Sequence, residues 1–339
     1  MKKEYDFVIR CITQSKKGFG NLNRCLIIAQ ILKKKKFNVL FVIDKNLHAK
    51  NIIETKKFSS IVIDSSDIET KSLKKIMMNT NSHFLLLDMR EFGEKISKSL
   101  LSKDYSLIVF DDAWCKKIYA DILFNGTIIK KYHKYKKINQ KSKIFLGSKF
   151  WISDKNFSNY RKSSLSIKNK KQYVVTLSLG GADPSNVTFL ILNELLKIPS
   201  IKINVIIGPF FDNQNWIKSF SDSSSVNIIT NEFKLWKIFD KSDLVICSAG
   251  NTLFDLAIQG VPNICIPIVK HQIPYAKWFD SNKISIKINL NKKSIKQMSY
   301  TVQSILSDTN KRKIMNKMSK SIFDGQGSKR TVNKILKSF

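Results

Sequence analysis

The sequence predicts an α/β protein of two successive doubly wound domains, and three observations support this. Apolar runs alternate with helical patterns in the first half, the alternation lapses over residues 154–171, and it then starts again. Short buried strands separated by helices are typical of parallel sheets with both faces covered. Glycine-rich turns also follow three of the predicted strands. We therefore expect domains at residues 1–153 and 172–339, a linker over 154–171, and a ligand cleft at the carboxyl ends of both sets of strands.

The predicted elements follow one another in a regular order. Strands of the first domain are expected at Tyr5–Ile12, Asn38–Ile43, Ser60–Ile63, Phe84–Asp88, Leu107–Phe110 and Asp121–Phe124, with helices at Leu22–Leu32, Ile68–Met78 and Glu91–Leu101. Strands of the second domain are expected at Tyr173–Leu179, Ile203–Ile207, Asn227–Ile229, Leu244–Cys247 and Asn263–Ile266. Its helices are expected at Asn186–Leu196, Leu253–Ile258, Lys292–Leu306, Asn310–Ile322 and Lys329–Leu336.

Composition sets the class of protein. The 339 residues, 43% of them hydrophobic, suffice for two cores. No apolar run approaches the ~20 residues that span a bilayer, and no signal core follows the amino terminus, so a soluble, cytoplasmic protein is expected. The five cysteines are scattered and form no CxxC motif. We expect them to be buried, with no disulfide framework, no metal site and no cofactor.

The formal net charge of +33 raises the question of nucleic-acid binding. Only six of the 59 basic residues are arginine, the residue that reads phosphates and bases best. The lysines are spread among Asn, Ile and Ser residues, which indicates a compositional bias. We therefore expect no specific nucleic-acid partner, while a weak attraction to an anionic membrane surface stays open. The oligomeric state is not predicted.

The first glycine-rich turn lies in the segment Lys17–Arg24, between a predicted strand and a predicted helix. Gly18 and Gly20 let the backbone approach a ligand closely, and free N–H groups at a helix start attract negative charge. Arg24 lies within the first turn or so of this helix. It either neutralises a phosphate or forms an ordinary surface salt bridge.

The second turn lies in the segment Ser248–Asp255. Gly250, Asn251 and Thr252 fall where helix N–H groups are unpaired, so a pyrophosphate could bind there. Asp255 falls one helical turn after Thr252, on the same face, where a carboxylate could accept hydrogen bonds from ribose hydroxyls. A helix capped by Asn251 or Thr252, with no ligand, explains the pattern equally well.

Two carboxylates also end a predicted strand. Asp111 and Asp112 follow Leu107–Phe110, where they could orient water or a sugar hydroxyl. The alternative is that Asp112 caps the next helix.

Further candidate ligand contacts lie in the second domain. Gly180, Gly181 and Asp183 follow another strand there, as the third of the glycine-rich turns. His271 is the one histidine of the four that follows a predicted strand at its carboxyl end, although most loop histidines do no chemistry.

The motifs resemble those of a known family. The chain resembles the UDP-2,4-diacetamido-2,4,6-trideoxy-β-L-altropyranose hydrolases of pseudaminic acid biosynthesis and the related spore-coat polysaccharide proteins. Its C-terminal half is more distantly similar to the lipid-linked N-acetylglucosaminyl transferases of peptidoglycan synthesis. The matching positions are Gly18–Arg24, Asp111, Asp112, Asn125, Gly147, Phe157, Leu179–Pro184, Gly250–Asp255, Gly260, Pro262, Gln272, Asp324–Gly327 and Arg330.

The resemblance implies a GT-B fold, in which two Rossmann-like domains hold a nucleotide sugar. The N-terminal domain would face the sugar or acceptor and the C-terminal domain would bind the nucleotide. Thr252 would lie at the pyrophosphate, Asp255 at the ribose, and Gln272 at the donor sugar.

This chain departs from the family at three positions. Asn21 stands where the family has the histidine that serves as base or orients water, and an amide takes up no proton at neutral pH. Met89 and Arg90 follow the strand aspartate Asp88, where the family often has His-Tyr. Asp255 replaces a glutamate, which shortens the reach to ribose by one methylene.

These observations favour an enzyme that hydrolyses a UDP-linked amino sugar for surface-glycan synthesis and releases UDP. The same site would suit a GT-B glycosyltransferase with a hydroxyl acceptor in place of water. Because of Asn21 and Arg90, a catalytically silent nucleotide-sugar-binding protein is a third hypothesis. The expected catalytic residues are Asn21, Asp111 and Asp112.

Overall fold

The computed structural model describes residues 4–13, 20–64, 69–112, 115–163, 167–181, 183, 186–208, 211, 215–220, 223–230, 232 and 234–338. The chain divides into two compact units. One consists of Met1–Asp154 together with Gln326–Phe339, and the other is Lys155–Gly325. Residues 155–171, predicted as a linker, are therefore part of the second unit, and the end of the chain returns to the first.

The first unit is built on a parallel sheet of seven strands among the described residues, in the order β3-β2-β1-β4-β5-β7-β9. The strands of this sheet are β1 Phe7–Cys11, β2 Val39–Ile43, β3 Ser59–Val62, β4 Phe84–Asp88, β5 Ser106–Phe110, β7 Ile122–Asn125 and β9 Lys143–Leu146. Two further short strands, β6 Lys117–Ile118 and β8 Lys136–Lys137, pair with each other in a separate sheet. The helices between them are α1 Gly20–Lys34, α2 Leu47–Thr55, α3 Glu69–Thr80 and α4 Gly93–Leu100.

Alternate residues of these strands enter two separate cores. Phe7 and Ile9 of β1 pack with α1 on one face, and Val8 packs with α3 and α4 on the other. This alternation follows from the two-residue period of a strand, and it explains why the strands are apolar throughout. The sheet is thus held between helices, with its carboxyl ends left for polar residues.

Arg10 is the exception within β1, because its side chain is fully buried and charged. It forms ion pairs with Asp44 at 2.7 Å and Glu69 at 2.5 Å, and Asp44 also accepts the backbone N–H of Thr13 at 2.6 Å. Burial raises the pKa of Asp44, but the hydrogen bond and charge of Arg10 more than offset this, so that the pKa lies below its ordinary value. The cluster ties the ends of β1 and β2 to the start of α3.

The second unit is built on a parallel sheet of six strands among the described residues, in the order β12-β11-β10-β13-β14-β15. Its strands are β10 Tyr173–Ser178, β11 Ile201–Ile207, β12 Val226–Thr230, β13 Leu244–Ser248, β14 Asn263–Ile266 and β15 Ile286–Lys287. Its helices are α5 Lys155–Asn159, α6 Val187–Leu195, α7 Leu235–Lys241, α8 Asn251–Gln259, α9 Ile273–Ser281, α10 Lys292–Lys296, α11 Met298–Ser307 and α12 Thr309–Ile322.

The last helix, α13 Gly327–Leu336, belongs to the first unit. Its Val332 and Ile335 are fully buried in the core that also holds α1. At its start, the Ser328 hydroxyl donates to the carbonyl of Ser153 at 2.6 Å and accepts the N–H of Ser153 at 3.0 Å. The helix therefore completes the core of a unit whose other residues lie more than 170 positions earlier in the chain.

Most predicted strands and helices are present within a few residues of their expected bounds, and the predicted helix Lys292–Leu306 consists of α10 and α11. The structure adds elements that the sequence did not predict, namely α2, α5, α7, α9, β6, β8, β9 and β15. α2 begins after Asn46, whose side chain caps it by accepting the N–H of Ala49 at 3.0 Å. His48 lies in this helix. No helix in the described part of the chain is long and apolar enough to cross a membrane.

Gly327 allows α13 to approach the segment at Trp151. A Cβ at this position would lie 2.8 Å from the carbonyl carbon of Trp151 and 3.0 Å from its nitrogen, and closer still to its oxygen. We expect Gly327→Ala to lower the free energy of unfolding by about 1–3 kcal/mol, because backbone must shift to accept the methyl group. Urea denaturation of the full chain measures this.

Gly93→Ala is the matched control in the same unit. There a Cβ would meet only the Cys115 Sγ at 3.5 Å, and the backbone is already helical with φ −58°. The urea concentration at the midpoint of unfolding should be equal to that of the wild type or higher. Equal stability of the two variants would show that the contact at Gly327 does not restrict α13.

Candidate active site

A buried carboxylate organises the carboxyl edge of the first sheet. Asp88 ends β4 and is fully buried. Its Oδ1 accepts a hydrogen bond from Asn21 Nδ2 at 2.5 Å and one from Arg24 Nη2 at 2.7 Å, and its Oδ2 accepts Arg24 Nε at 2.8 Å. Asn21 and Arg24 lie three positions apart, so both meet Asp88 from the first turn of α1.

Arg24 connects two carboxylates. Its Nη1 donates to Asp112 Oδ1 at 2.7 Å, and the guanidinium lies 5.8 Å from the centre of the Phe110 ring. Burial lowers the pKa of Arg24, but the negative charges of Asp112 and Asp88 more than offset this, so that the pKa lies well above its ordinary value. Arg24 is therefore a permanent cation. The structure excludes the surface salt bridge considered from the sequence, because Asp88 is fully buried and the Arg24 side chain is only 15% exposed.

Both polar atoms of the Asn21 side-chain amide form hydrogen bonds. While its Nδ2 donates to Asp88, its Oδ1 accepts a hydrogen bond from Arg90 Nε at 2.8 Å. Arg90 adopts a left-handed backbone conformation with φ +51°, which is uncommon for a residue with a side chain and costs about 1–2 kcal/mol. Two of the residues at which this chain departs from the resembling family, Asn21 and Arg90, are thus in direct contact.

Asp111 has a different environment from its neighbour Asp112. Asp111 is buried, its Oδ1 accepts the N–H of Cys115 at 3.1 Å, and its Oδ2 accepts the hydroxyl of Tyr135 at 2.7 Å. Burial and the charge of Asp111 raise the pKa of Tyr135 well above its ordinary value, so the phenol stays protonated and donates. Tyr135 in turn accepts from Asn125 Nδ2 at 2.5 Å. These bonds give Asp111 a structural role, whereas Asp112 pairs with Arg24.

In the second unit, glycines bring strand ends close together. Gly180 has φ +110°, and a Cβ there would lie 3.5 Å from the Ser248 hydroxyl. Gly208 follows β11, and a Cβ at that position would lie 2.6 Å from Cα of Gly181 and closer still to the Gly180 carbonyl oxygen. Only glycine fits at this approach. Gly180 and Gly181 thus lie beside the end of β13, as their positions after β10 predict.

Helix α8 begins at Asn251, directly after Gly250 at the end of β13. Its N-cap residue is Gly250, and within the described residues no side chain caps the helix, so the alternative in which Asn251 or Thr252 caps it is not observed there. Gln272 is 92% buried, and its Nε2 would lie 3.4 Å from a Cβ on Gly250. Its Oε1 accepts the N–H of Ile268 at 3.0 Å, while Nε2 makes no hydrogen bond to any part of the chain that the structure describes.

The remaining predicted residues of this unit are dispersed around α8. Thr252 and Asp255 are half-buried on its first turns, Asn251 is exposed, and His271 is exposed in the short helical turn Lys270–Gln272. Asp183 accepts the N–H groups of Val187 at 2.9 Å and Thr188 at 2.6 Å. It therefore caps α6, a role that the sequence analysis did not consider.

Some candidate positions lie outside this description. Gly18 falls outside the described residues, while Gly20 is the first residue of α1. Asp88 and Arg90 were not predicted as site residues, although Asp88 could have been found as the polar end of an apolar strand. Among the described residues, no group of three or more His, Cys, Asp or Glu side chains could hold a metal ion.

Comparisons with known proteins agree with this architecture. Residues 179–333 match the glycosyltransferase family 28 C-terminal domain. The MurG structure of Acinetobacter baumannii superposes with a TM-score of 0.66 over 98% of this chain and 99% of that chain, at 12% identity. The Anabaena Alr3699/HepE structure in complex with UDP-glucose superposes with a TM-score of 0.61 over 98% and 100% of the two chains, at 11% identity. The predicted GT-B fold of two Rossmann-like domains is confirmed.

Three relatives are similar in sequence. The uncharacterized protein MJ1062 of Methanocaldococcus jannaschii is 29% identical over 74% of this chain and 53% of its own length. The spore coat polysaccharide biosynthesis protein SpsG of Bacillus subtilis is 24% identical over 81% of this chain and 75% of its own. The pseudaminic acid cytidylyltransferase and UDP-2,4-diacetamido-2,4,6-trideoxy-beta-L-altropyranose hydrolase of Helicobacter pylori is 28% identical over 58% of this chain and 36% of its own length. This chain thus spans about half of the first relative and about a third of the last. The matches relate it to glycosyltransferase-like proteins of the GT-B fold.

The charge network of the first unit gives a prediction for stability. We expect Arg24→Met to lower the free energy of unfolding by about 3–5 kcal/mol, because it leaves the buried Asp88 carboxylate without a cation. The double variant Arg24→Met/Asp88→Leu should recover part of this loss. Chemical denaturation monitored by circular dichroism measures both.

Lys50→Met is the matched control, since Lys50 and Glu54 form an exposed pair at 3.8 Å on α2. It should change the free energy of unfolding by no more than about 0.5 kcal/mol. A loss below about 1 kcal/mol for Arg24→Met would mean that Asp88 does not depend on this ion pair.

Proposed function

We propose that this protein is an enzyme of surface-glycan biosynthesis that cleaves the anomeric bond of a UDP-linked amino sugar and releases UDP. The observation that carries the proposal is the start of α8. Its N–H groups are uncapped by side chains of the described residues, Gly250 leaves room above them, and the buried Gln272 directs an amide N–H group toward the same place. Such a helix start binds a pyrophosphate well.

The chemistry follows from the leaving group. When the anomeric bond breaks, UDP leaves with the bonding electrons and its pyrophosphate gains negative charge. Backbone N–H groups and the partial positive charge at the start of α8 stabilise that charge, and they stabilise it more in the transition state than in the substrate. Thr252 on the first turn would contact the pyrophosphate, and Asp255 one turn later would accept hydrogen bonds from the ribose.

The relatives support the substrate class. The names of the Helicobacter and Bacillus relatives refer to a UDP-sugar hydrolase and to polysaccharide biosynthesis, and the Anabaena structure contains UDP-glucose. For this chain, a UDP-linked amino sugar and a role in glycan synthesis are therefore part of the proposal. Location in the cytoplasm, where nucleotide sugars are made, also belongs to it.

A glycosyltransferase is the second candidate, because residues 179–333 match the glycosyltransferase family 28 C-terminal domain. The donor site and the departure of UDP would be the same, with a hydroxyl group in place of water. A time course of UDP release separates the two. Release from the altropyranose substrate or UDP-N-acetylglucosamine in buffer alone indicates hydrolysis, and release that needs an added acceptor indicates transfer. Binding of UDP without release under either condition would contradict both.

Asp255 provides a test of the nucleotide site. Asp255→Ala should weaken UDP binding by about 1–3 kcal/mol, or about 5- to 150-fold in Kd, because ribose hydroxyls lose their acceptor. Isothermal titration calorimetry of the full chain measures it. Asp240→Ala, which removes an exposed carboxylate from α7 of the same unit, is the control and should bind UDP as the wild type does. Unchanged affinity in Asp255→Ala would remove Asp255 from the site.

A further inference from the structure

We propose that Asp112 is the general base of this enzyme, that Arg24 positions it, and that residue 21 takes no proton. This inference rests on the proposed function and assigns the group that activates the attacking water or hydroxyl. Four polar side chains meet at the carboxyl ends of β1, β4 and β5, namely those of Asn21, Asp88, Asp111 and Asp112. Their contacts differ enough to separate their roles.

Asn21 and Asp88 have no capacity left for a proton. Asn21 donates from Nδ2 to Asp88 and accepts at Oδ1 from Arg90, and an amide is not a base at neutral pH. Asp88 is fully buried and receives three hydrogen bonds from Asn21 and Arg24. A carboxylate with this many donors and no contact with solvent does not meet the water molecule that a base must activate.

Asp111 is excluded by similar reasoning. It is 3% exposed, and both of its oxygens accept hydrogen bonds from the protein, one from the N–H of Cys115 and one from the hydroxyl of Tyr135. Its Oδ2 holds Tyr135 and, through it, Asn125 at the end of β7. Its carboxylate therefore stabilises the loop structure beneath the site.

Asp112 differs from Asp111 both in its exposure to solvent and in the number of hydrogen bonds that its carboxylate accepts. Its side chain is 31% exposed, and within the described residues its only hydrogen bond is the one that Oδ1 accepts from Arg24 Nη1 at 2.7 Å. Its Oδ2 is thus available to accept a hydrogen bond from a water or a sugar hydroxyl. A base needs this combination of a fixed orientation and one free lone pair within reach of the nucleophile.

Arg24 supplies the orientation. Two of its nitrogens are fixed on the fully buried Asp88, so the third nitrogen, Nη1, holds Asp112 in a defined place. The positive charge of Arg24, 2.7 Å from Asp112 Oδ1, attracts the carboxylate in addition to the hydrogen bond. Arg24 touches no reacting atom in this scheme and is a positioning residue.

The oxygen of the water or acceptor hydroxyl forms a bond to the anomeric carbon while its proton passes to Asp112 Oδ2. The bond between the anomeric carbon and the β-phosphate oxygen breaks, and UDP leaves with the electron pair. Asp112 then returns its proton to solvent.

The test is Asp112→Asn in the full chain, with UDP release followed on the altropyranose substrate and on UDP-N-acetylglucosamine, with and without acceptor. Asparagine keeps the oxygen that Arg24 binds but removes the base, so kcat should fall ~10²–10⁴-fold with little change in KM or in the melting temperature. Asp104→Asn is the matched control, because Asp104 is an exposed carboxylate that precedes the same strand β5 at its opposite end. It should keep the kcat of the wild type.

Two further measurements keep the inference open to refutation if Asp112→Asn is less stable than expected. Added formate should raise the rate of Asp112→Ala by about tenfold or more, because a small carboxylate can fill the vacated place of the base. Asn21→His should not raise the hydrolysis rate by more than about tenfold, because the base is already present elsewhere.

The outcomes separate the inference from the function. If the wild type releases UDP and Asp112→Asn is fully active, the assignment of Asp112 is overturned while the proposed function stands. The same holds if Asn21→His raises the hydrolysis rate 100-fold or more. A wild-type protein that binds UDP but releases none from either substrate overturns both, since no step then requires a base.

Discussion

The ion pair between Arg24 and Asp88 is the interaction on which the first unit's polar edge depends. A fully buried carboxylate is tolerated only when donors satisfy it, and here Arg24 provides two hydrogen bonds and Asn21 a third. Because Asp88 ends β4 and the other two residues lie on α1, the pair fixes the start of the helix against the sheet. The same guanidinium reaches Asp112 beyond β5, so one side chain sets the positions of residues from three separate segments. Asn21 completes this arrangement through its contact with Arg90.

The two units use different means to prepare for a ligand. The first gathers charged and amide side chains whose hydrogen bonds are almost all made within the protein. The second relies on backbone, with glycines that let strand ends approach and a helix start that no described side chain caps. Backbone N–H groups bind a charged group of fixed shape, whereas ionised side chains move protons.

The sequence predicted the fold well and the site only in part, for physical reasons. Apolar runs identified β1, β4, β5 and β13 because strands buried on both faces leave a clear signal. Helices such as α2 and α7 were missed because they are short, with nine and seven residues. The candidate Asp183 lies where expected but caps α6, and the pair Asp111–Asp112 divides into a structural and a partly exposed carboxylate. Neighbouring residues on a chain can face opposite surroundings, and periodicity alone does not reveal which. The contact between Arg90 and Asn21 was not predicted because the two residues are 69 positions apart in the sequence.

The return of α13 to the first unit has a consequence for the order of folding during synthesis. Val332 and Ile335 complete a core whose other members have all been made by residue 154, so that core must wait while the ribosome adds the whole second unit. Until then the apolar side of α1 lacks its cover, whereas the second unit is contiguous in sequence and can fold as it emerges. The first unit is thus the later one to mature although its strands are translated first. In a nascent chain, the uncovered α1 surface is where we expect a chaperone to bind.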